Sequence, residues 1–145
     1  MEEMSLLVDL HVHHDRQGPG SDVVTLQAAA LSGLQPGQEL KVLDVGCGTG
    51  AASLVLTEHL QAQVTAVDFL PDFLDKLNER AAERGVAGQI ETLSCDMSEL
   101  PFPESSFDVI WSEGAVYNMG FGNGVSYWQR FLKPGGALVV KKRCQ

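Results

Sequence analysis

The chain is short of positive charge. Its 145 residues include 10 Lys and Arg against 19 Asp and Glu, which gives a formal net charge of −9. A nucleic-acid surface needs clustered Lys and Arg to contact phosphates, so this balance argues against a general nucleic-acid partner. No apolar run is long enough to cross a bilayer, which argues against membrane insertion. Glu2 and Glu3 also give the N-terminus the wrong charge for a secretory signal peptide.

Cysteine is scarce as well. Three cysteines, Cys47, Cys95 and Cys144, cannot all pair within one chain. A reducing compartment is the simpler interpretation, and we therefore expect a cytoplasmic protein. The hydrophobic fraction of 44% is ordinary for a globular protein. A chain of this length can form one domain with its own core.

A glycine-rich turn directly after an apolar run is the most informative feature that the sequence has. The run VLDVGCGTG occupies residues 42–50. Gly46, Gly48 and Gly50 let the backbone bend sharply and a ligand approach closely, and the N–H groups of such a turn can cradle a carboxylate or a phosphate. Asp44 would repel a pyrophosphate but favour an ammonium or sulfonium group. S-adenosylmethionine carries both of these cations and a carboxylate.

Strand and helix patterns alternate along the chain, which predicts an α/β fold with a Rossmann-like, doubly wound, mainly parallel sheet. The patterns predict a first helix from Ser21 to about Leu31 and a third that begins at Pro71 and ends before Gly85. The apolar spacing of the third helix predicts that its inward-facing residues are Leu74, Leu77 and Ala81. A second helix follows the glycine turn, and a short fourth one precedes the KPGG turn at 133–136. Five strands are predicted, at residues 41–45, 63–67, 90–94, 107–112 and 137–141.

Acidic residues stand where the predicted strands end. Asp68 ends the second strand, Asp96 lies just past the third and Glu113 follows the fourth. Parallel sheets bind ligands at the carboxyl ends of their strands, so all three acids should open on the same edge as the glycine turn.

Four blocks together resemble the class I S-adenosylmethionine-dependent methyltransferases, within a stretch from about Leu34 to Val140. They are VLDVGCGTG at 42–50, TAVDFLPDFL at 65–74, CDMSELPFPESSFDVIWSEGAVYNMG at 95–120 and FLKPGGALVV at 131–140. The pattern is most similar to the small-molecule branch that includes ubiquinone/menaquinone-biosynthesis C-methyltransferases. The resemblance implies methyl transfer from S-adenosylmethionine to a small-molecule acceptor by in-line displacement, with S-adenosylhomocysteine as product.

The resemblance also implies roles for individual residues. The three glycines would wrap the methionine part of the cofactor, and Asp68 would accept hydrogen bonds from both ribose hydroxyls. Asp96 would accept one from the adenine amino group, while Phe69 and Leu70 would pack on the adenosine. The full set expected to bind the cofactor is Arg16, Asp44, Gly46, Cys47, Gly48, Gly50, Asp68, Phe69, Asp96, Met97 and Ser112.

Glu113 and Tyr117 are the candidate catalytic residues, either as a base or in substrate positioning. A base is required only if the acceptor must lose a proton, because the thioether leaving group needs no acid. A plainer alternative is that Glu113 is simply solvated and that Tyr117 packs in the structure.

The chain departs from the family at its C-terminus, where members usually add two more strands. We therefore expect a shortened form whose last strand is an exposed edge, open to self-association. The expected organisation is a single domain, 1–145, with an N-terminal cap segment and helix at 1–33 and a Rossmann-like core at 34–145.

Two other functions remain open at this point. Gly46-x-Gly48-x-x-Ala51 loosely fits the dinucleotide fingerprint, so an NAD-dependent oxidoreductase is one alternative. A truncated, non-catalytic cofactor-binding protein is the other. His11, His13, His14 and Asp15 superficially suggest a metal site, but no matching Cys or His cluster accompanies them, and we expect no metal.

Overall fold

The computed structural model describes residues 6–12, 25–27, 29–30, 33, 39–113 and 120–143. Within this part of the chain, six parallel strands form one sheet in the order β1-β6-β5-β2-β3-β4. The strands are β1 Leu6–Val12, β2 Lys41–Val45, β3 Gln63–Asp68, β4 Ile90–Ser94, β5 Phe107–Glu113 and β6 Leu132–Arg143. The α/β, doubly wound fold class is therefore confirmed.

In the described ranges that follow β2, the strands are connected by the helices α1 Ala51–Leu60, α2 Pro71–Glu83 and α3 Phe121–Trp128. Two 3-10 helices, Ala87–Gln89 and Gln129–Phe131, precede β4 and β6. Residues 25–27 and 29–30 are also helical, within the helix predicted from 21 to about 31. None of the helices in the described ranges combines the length and the hydrophobicity that crossing a membrane requires.

The sheet has a buried hydrophobic cluster on each face, because successive side chains of a strand point to opposite sides. Val42 and Trp111 belong to the cluster that α1 and α2 cover. Leu43 and Ile110 belong to the cluster that contains Trp128 of α3. In α2, the buried residues are Leu74, Leu77 and Ala81, as the apolar spacing predicts. Pro71 lies in the first turn of α2, and Gly85, with φ +74°, follows its C-cap.

The structure corrects the prediction for the last strand. β6 pairs with β5 on one side and with β1 on the other, so it is not an exposed edge. The expected route to self-association through that edge is therefore wrong. Residues 6–12, which were expected in a cap segment, are part of the sheet instead. The apolar residues of LLVDLHV suit a strand, but only a long-range pairing with β6 places them there.

β6 also begins earlier than expected, at Leu132. Its pairing with β5 changes from Phe107↔Leu132 to Val109↔Ala137, so three additional residues bulge out of β6. Gly135, with φ +79°, lies in this bulge. The KPGG segment therefore belongs to an irregular strand rather than to a turn before it.

Candidate functional site

The carboxyl ends of the parallel strands bring the predicted acidic residues to one edge of the sheet. Asp68 is the last residue of β3, and Glu113 is the last residue of β5. Asp96 lies two residues beyond the end of β4, where Ser94 pairs with Asp68. The expectation that these acids share an edge with the glycine turn is confirmed, and this edge is the candidate site.

The glycine turn, residues 46–50, joins β2 to α1 through three left-handed backbone conformations. Gly46, Gly48 and Gly50 have φ values of 68°, 59° and 89°, which residues with a Cβ rarely adopt. The N–H groups of Gly46 and Cys47 both donate to the Val67 carbonyl, at 2.9 and 3.0 Å. The turn is therefore fixed to the end of β3.

Gly48 and Gly50 have different surroundings. A Cβ at Gly50 would overlap the Leu77 side chain of α2, so this glycine is required for packing. A Cβ at Gly48 would meet no atom within 4 Å and would protrude into open space. The backbone at Gly48 is thus the part of the turn that a ligand can approach closely.

Asp68 connects the two loops that flank it. Its Oδ2 accepts a hydrogen bond from the Gly48 N–H at 2.9 Å, and its Oδ1 accepts one from the Leu70 N–H at 3.0 Å. A carboxylate has about four lone-pair sites, so each oxygen can accept a further hydrogen bond. The side chain is half-buried, which leaves a ligand access to it.

Asp44 lies behind the glycine turn rather than on its surface. Its side chain is 2% exposed, and its Oδ2 accepts a hydrogen bond from the Ser53 hydroxyl of α1 at 2.7 Å. Burial raises the pKa of the neighbouring Cys47 thiol far above its ordinary value, and the negative charges of Asp44 and Asp68 raise this pKa further. Cys47 thus remains protonated, which argues against a nucleophilic role.

Asp96 and Met97 begin the loop after β4. The Asp96 Oδ1 accepts hydrogen bonds from the Ser98 N–H at 2.8 Å and the Ser98 hydroxyl at 2.7 Å. Both bonds lower the pKa of Asp96, the bond from the Ser98 hydroxyl more than the bond from the Ser98 N–H, and they keep the carboxyl group ionised. The Met97 carbonyl accepts a hydrogen bond from the Trp128 indole N–H at 3.1 Å. The loop therefore presents a fixed carboxylate beside an anchored peptide.

Ser112 and Glu113 end β5 on opposite faces of the sheet. Ser112 is fully buried, and its Oγ has no hydrogen-bond partner among the described residues. The Glu113 Oε2 accepts hydrogen bonds from the Trp111 indole N–H at 3.0 Å and from the Thr25 hydroxyl at 3.4 Å. Glu113 is therefore held in place by the residues beneath it, whereas Ser112 retains an unused hydroxyl near the edge.

Large apolar side chains are exposed on the residues that follow β3, on α2 and on β4. Phe69 is 67% exposed and Leu70 is 47% exposed, although both are large and apolar. Phe73 and Leu93 share this property, and the sequence analysis did not include them in the site. Phe73 lies outside the buried face of α2, and Leu93 lies on β4, which is an edge strand. An apolar residue at such a position is a feature that the sequence already contains.

Arg80 of α2 is another residue that the sequence analysis missed. Its guanidinium donates to the Thr49 carbonyl at 3.1 Å and to the Thr49 hydroxyl at 3.3 Å. It thus supports the glycine turn from the side of α2. Two of the predicted site residues, Arg16 and Tyr117, lie outside the described residues, as do His13, His14 and Asp15.

The sequence matches the family model described as "Methyltransferase domain" over residues 42–136. It is 34% identical over 111 residues to the uncharacterized methyltransferase YodH of Bacillus subtilis, an alignment that covers 77% of this chain and 46% of YodH. The matched region runs from the glycine turn to the bulge of β6 and contains all the described candidate site residues.

Several solved structures share this fold, and two of them show the degree of similarity to the chain. The [4+2]-cyclase SpnF has a TM-score of 0.75 and 27% identity, over 90% of this chain and 50% of SpnF. The geranyl diphosphate C-methyltransferase from Streptomyces coelicolor A3(2) was solved with Mg²⁺, geranyl-S-thiolodiphosphate and S-adenosyl-L-homocysteine. It has a TM-score of 0.67 and 25% identity, over 77% of this chain and 41% of that enzyme. The chain thus spans about half or less of the length of each of these proteins.

Proposed function

This chain belongs to the methyltransferase domain family, and we propose that it binds S-adenosylmethionine and transfers its methyl group to a small-molecule acceptor. The observation that carries the proposal is the Asp68 carboxylate, which bonds to the Gly48 N–H and retains acceptor sites beside an open glycine backbone. The cofactor would supply an electrophilic methyl group on a sulfonium with a good leaving group.

The glycine turn suits the amino-acid end of the cofactor. Gly48 lies against open space, so a carboxylate can approach the backbone N–H groups at the start of α1 without meeting a Cβ. The buried carboxylate of Asp44 lies behind the turn and adds negative charge there. A ligand that carries ammonium and sulfonium cations would therefore be favoured over one that carries a pyrophosphate.

The adenosine part would lie along the ends of β3 and β4. The remaining lone pairs of the Asp68 carboxylate can accept hydrogen bonds from the two ribose hydroxyls. Phe69 and Leu70 expose apolar surface next to it, and the adenine ring would cover that surface. Asp96 stays ionised and can accept a hydrogen bond from the adenine amino group.

The residues at the end of β5 would act on the methyl acceptor. Methyl transfer is an in-line displacement, so the protein mainly has to position the acceptor and exclude water. The buried Ser112 hydroxyl can donate a hydrogen bond to a bound group. Glu113 can position the acceptor or remove its proton, together with Tyr117.

A small-molecule acceptor is supported by one similar structure, since the geranyl diphosphate C-methyltransferase was solved with geranyl-S-thiolodiphosphate. The comparisons give no support to an NAD-dependent oxidoreductase or to a non-catalytic role. We also propose a cytoplasmic location without a nucleic-acid partner. The free thiols of Cys47 and Cys95 support a reducing compartment, and the excess of acidic residues argues against nucleic acid.

Two experiments test this proposal in turn. In calorimetric titrations, we expect S-adenosylmethionine and S-adenosylhomocysteine to bind and NAD to give no response. Binding of NAD alone would contradict the proposal. Because a protein named as a [4+2]-cyclase shares the fold, binding alone does not establish methyl transfer. The protein should then be incubated with methyl-labelled donor and a small-molecule extract, and the labelled product identified by mass spectrometry.

A further inference from the structure

The loop from Cys95 to Ser106 has no regular secondary structure, yet α3 holds it firmly. The Trp128 indole N–H donates to the Met97 carbonyl at 3.1 Å. Three residues further along, the Leu100 N–H donates to the Tyr127 hydroxyl at 2.9 Å. Neighbouring side chains of one helix therefore bind two points of the segment that follows Asp96.

Trp128 is suited to fix this loop precisely. Its side chain is fully buried in the cluster on the α3 face, and Met97 packs against the same cluster. A close-packed indole cannot reorient freely, so its N–H points in one direction. A buried indole N–H also needs an acceptor, and the Met97 carbonyl is the one that it has.

The residues on the other side of Met97 are restrained as well. The Cys95 N–H donates to the Asp68 carbonyl at 3.1 Å, which joins the loop to the end of β3. Asp96 is bonded to Ser98 through its Oδ1, so its side chain follows the backbone of the loop. The position of the Asp96 carboxylate therefore depends on the Cys95 bond on one side and on the Trp128 bond on the other.

We propose that Trp128 is a positioning residue for adenine recognition: its hydrogen bond to the Met97 carbonyl sets the position of the Asp96–Met97 segment that meets the base. This inference rests on the proposed function, because it assumes that the cofactor is an adenosine compound. Trp128 itself touches no ligand in this scheme. It acts through Met97 from the opposite side of the loop.

The test measures discrimination rather than affinity alone. S-inosylhomocysteine differs from S-adenosylhomocysteine only on the base, where a carbonyl replaces the 6-amino group and the neighbouring N1 carries a proton. A carboxylate that accepts a hydrogen bond from the amino group would be repelled by that carbonyl. We expect the unmodified protein to prefer S-adenosylhomocysteine by about tenfold or more, which corresponds to one lost charged hydrogen bond.

Trp128→Phe removes the indole N–H and keeps an aromatic ring. We expect this variant to lose most of the preference, to about threefold or less, since Asp96 is no longer held in register with the base. Trp111→Phe is the matched control, because Trp111 is equally buried and also bonded through its indole, but it lies in the other core cluster. The preference should be unchanged in that variant.

A role in packing alone would weaken the binding of both compounds by the same factor, and that outcome would overturn the inference while leaving the proposed function intact. An unchanged preference in Trp128→Phe would do the same. If the unmodified protein bound neither compound, both the proposed function and this inference would be refuted.

A second measurement needs no substitution that could impair folding. The chain contains two tryptophans, so a nitrogen-15 spectrum has two indole N–H signals. We expect the Trp128 signal to differ between the complexes with S-adenosylhomocysteine and S-inosylhomocysteine, and the Trp111 signal to be the same in both. Identical Trp128 signals in the two saturated complexes would overturn the inference.

Discussion

The Asp68 carboxylate accepts a hydrogen bond from the Gly48 N–H at 2.9 Å, across twenty residues of sequence. One side chain at the end of β3 thus fixes a point of the glycine turn where a Cβ would meet no atom within 4 Å. The same carboxylate retains lone pairs for a ligand. Under the proposed function, Asp68 therefore couples the geometry of the turn to the binding of the cofactor.

Asp68→Asn should weaken the binding of S-adenosylhomocysteine by about tenfold or more, because the amide has one acceptor oxygen in place of two and no charge. Isothermal titration calorimetry measures this change. Asp72→Asn is the matched control, since Asp72 is exposed in the first turn of α2. Equal affinities of the Asp68 variant and the unmodified protein would refute the assigned role.

Substitution of the glycines at 48 and 50 should separate binding from stability. Gly50→Ala combines a strained φ with an overlap on Leu77, and we expect it to lower the free energy of unfolding by about 3 kcal/mol. Gly48→Ala adds a methyl group in open space and should cost only about 1 kcal/mol, from backbone strain.

Cofactor binding gives the second readout for this pair. Gly48→Ala should reduce the affinity for S-adenosylhomocysteine, because its methyl group occupies the surface that the ligand approaches. Urea unfolding and calorimetric titration, applied to both variants, check the two effects. A Gly48 variant with unchanged affinity would show that the ligand does not approach the turn at this point.

Cys47 should make stability depend on pH above its ordinary pKa of 9.0. Its pKa is raised in the folded state, so the unfolded chain releases the proton first, and the stabilising contribution present below pH 9 is lost as pH rises. The loss should be about 1.4 kcal/mol for each pH unit above that value.

Cys47→Ala is the reference for this measurement, because it removes the thiol and leaves all other titrating groups in place. Urea unfolding at pH 8 and pH 10 should show a stability difference between the two proteins that changes with pH in the stated direction. A difference that stays constant over this range would mean that the Cys47 thiol is not shielded in the fold.

Gly136→Ala should destabilise the bulge at the start of β6. A Cβ there would lie 2.9 Å from the Asp108 carbonyl oxygen and 2.9 Å from the Lys133 carbonyl oxygen, which are backbone atoms and cannot rotate away. We expect a loss of about 2 kcal/mol in the free energy of unfolding. Gly88→Ala, where a Cβ meets nothing, is the control and should change stability by about 0.5 kcal/mol or less. Equal thermal midpoints for the two variants would contradict this account.

Much of the central fold could be predicted because its signals are local. The boundaries of β2 and β4 agree with the prediction, and the apolar spacing of α2 identified Leu74, Leu77 and Ala81. Pro71 and Gly85 marked the ends of that helix through their own backbone preferences. The placement of Asp68 and Asp96 at one edge of the sheet could be predicted because a strand end is recognisable in sequence and because parallel strands end at one edge.

Features that depend on long-range pairing could not be predicted. Whether β6 is an edge depends on its pairing with β1, more than a hundred positions earlier in the chain. Arg80 reaches Thr49 across 31 residues, and Trp128 reaches Met97 across the same separation. The position of a tryptophan in an apolar stripe of the sequence predicts that its side chain is buried. Which carbonyl accepts the hydrogen bond from its indole N–H depends on how the separate elements pack.

The sequence by itself determined the alternation of strands and helices from residue 41 onward, the glycine turn and the acids at the strand ends, since these follow from backbone preference and local periodicity. Only the tertiary structure decided which of these residues restrain one another. Contacts such as Asp68 with Gly48 or Trp128 with Met97 form when separate elements pack together, and their geometry is a property of that packing rather than of either segment.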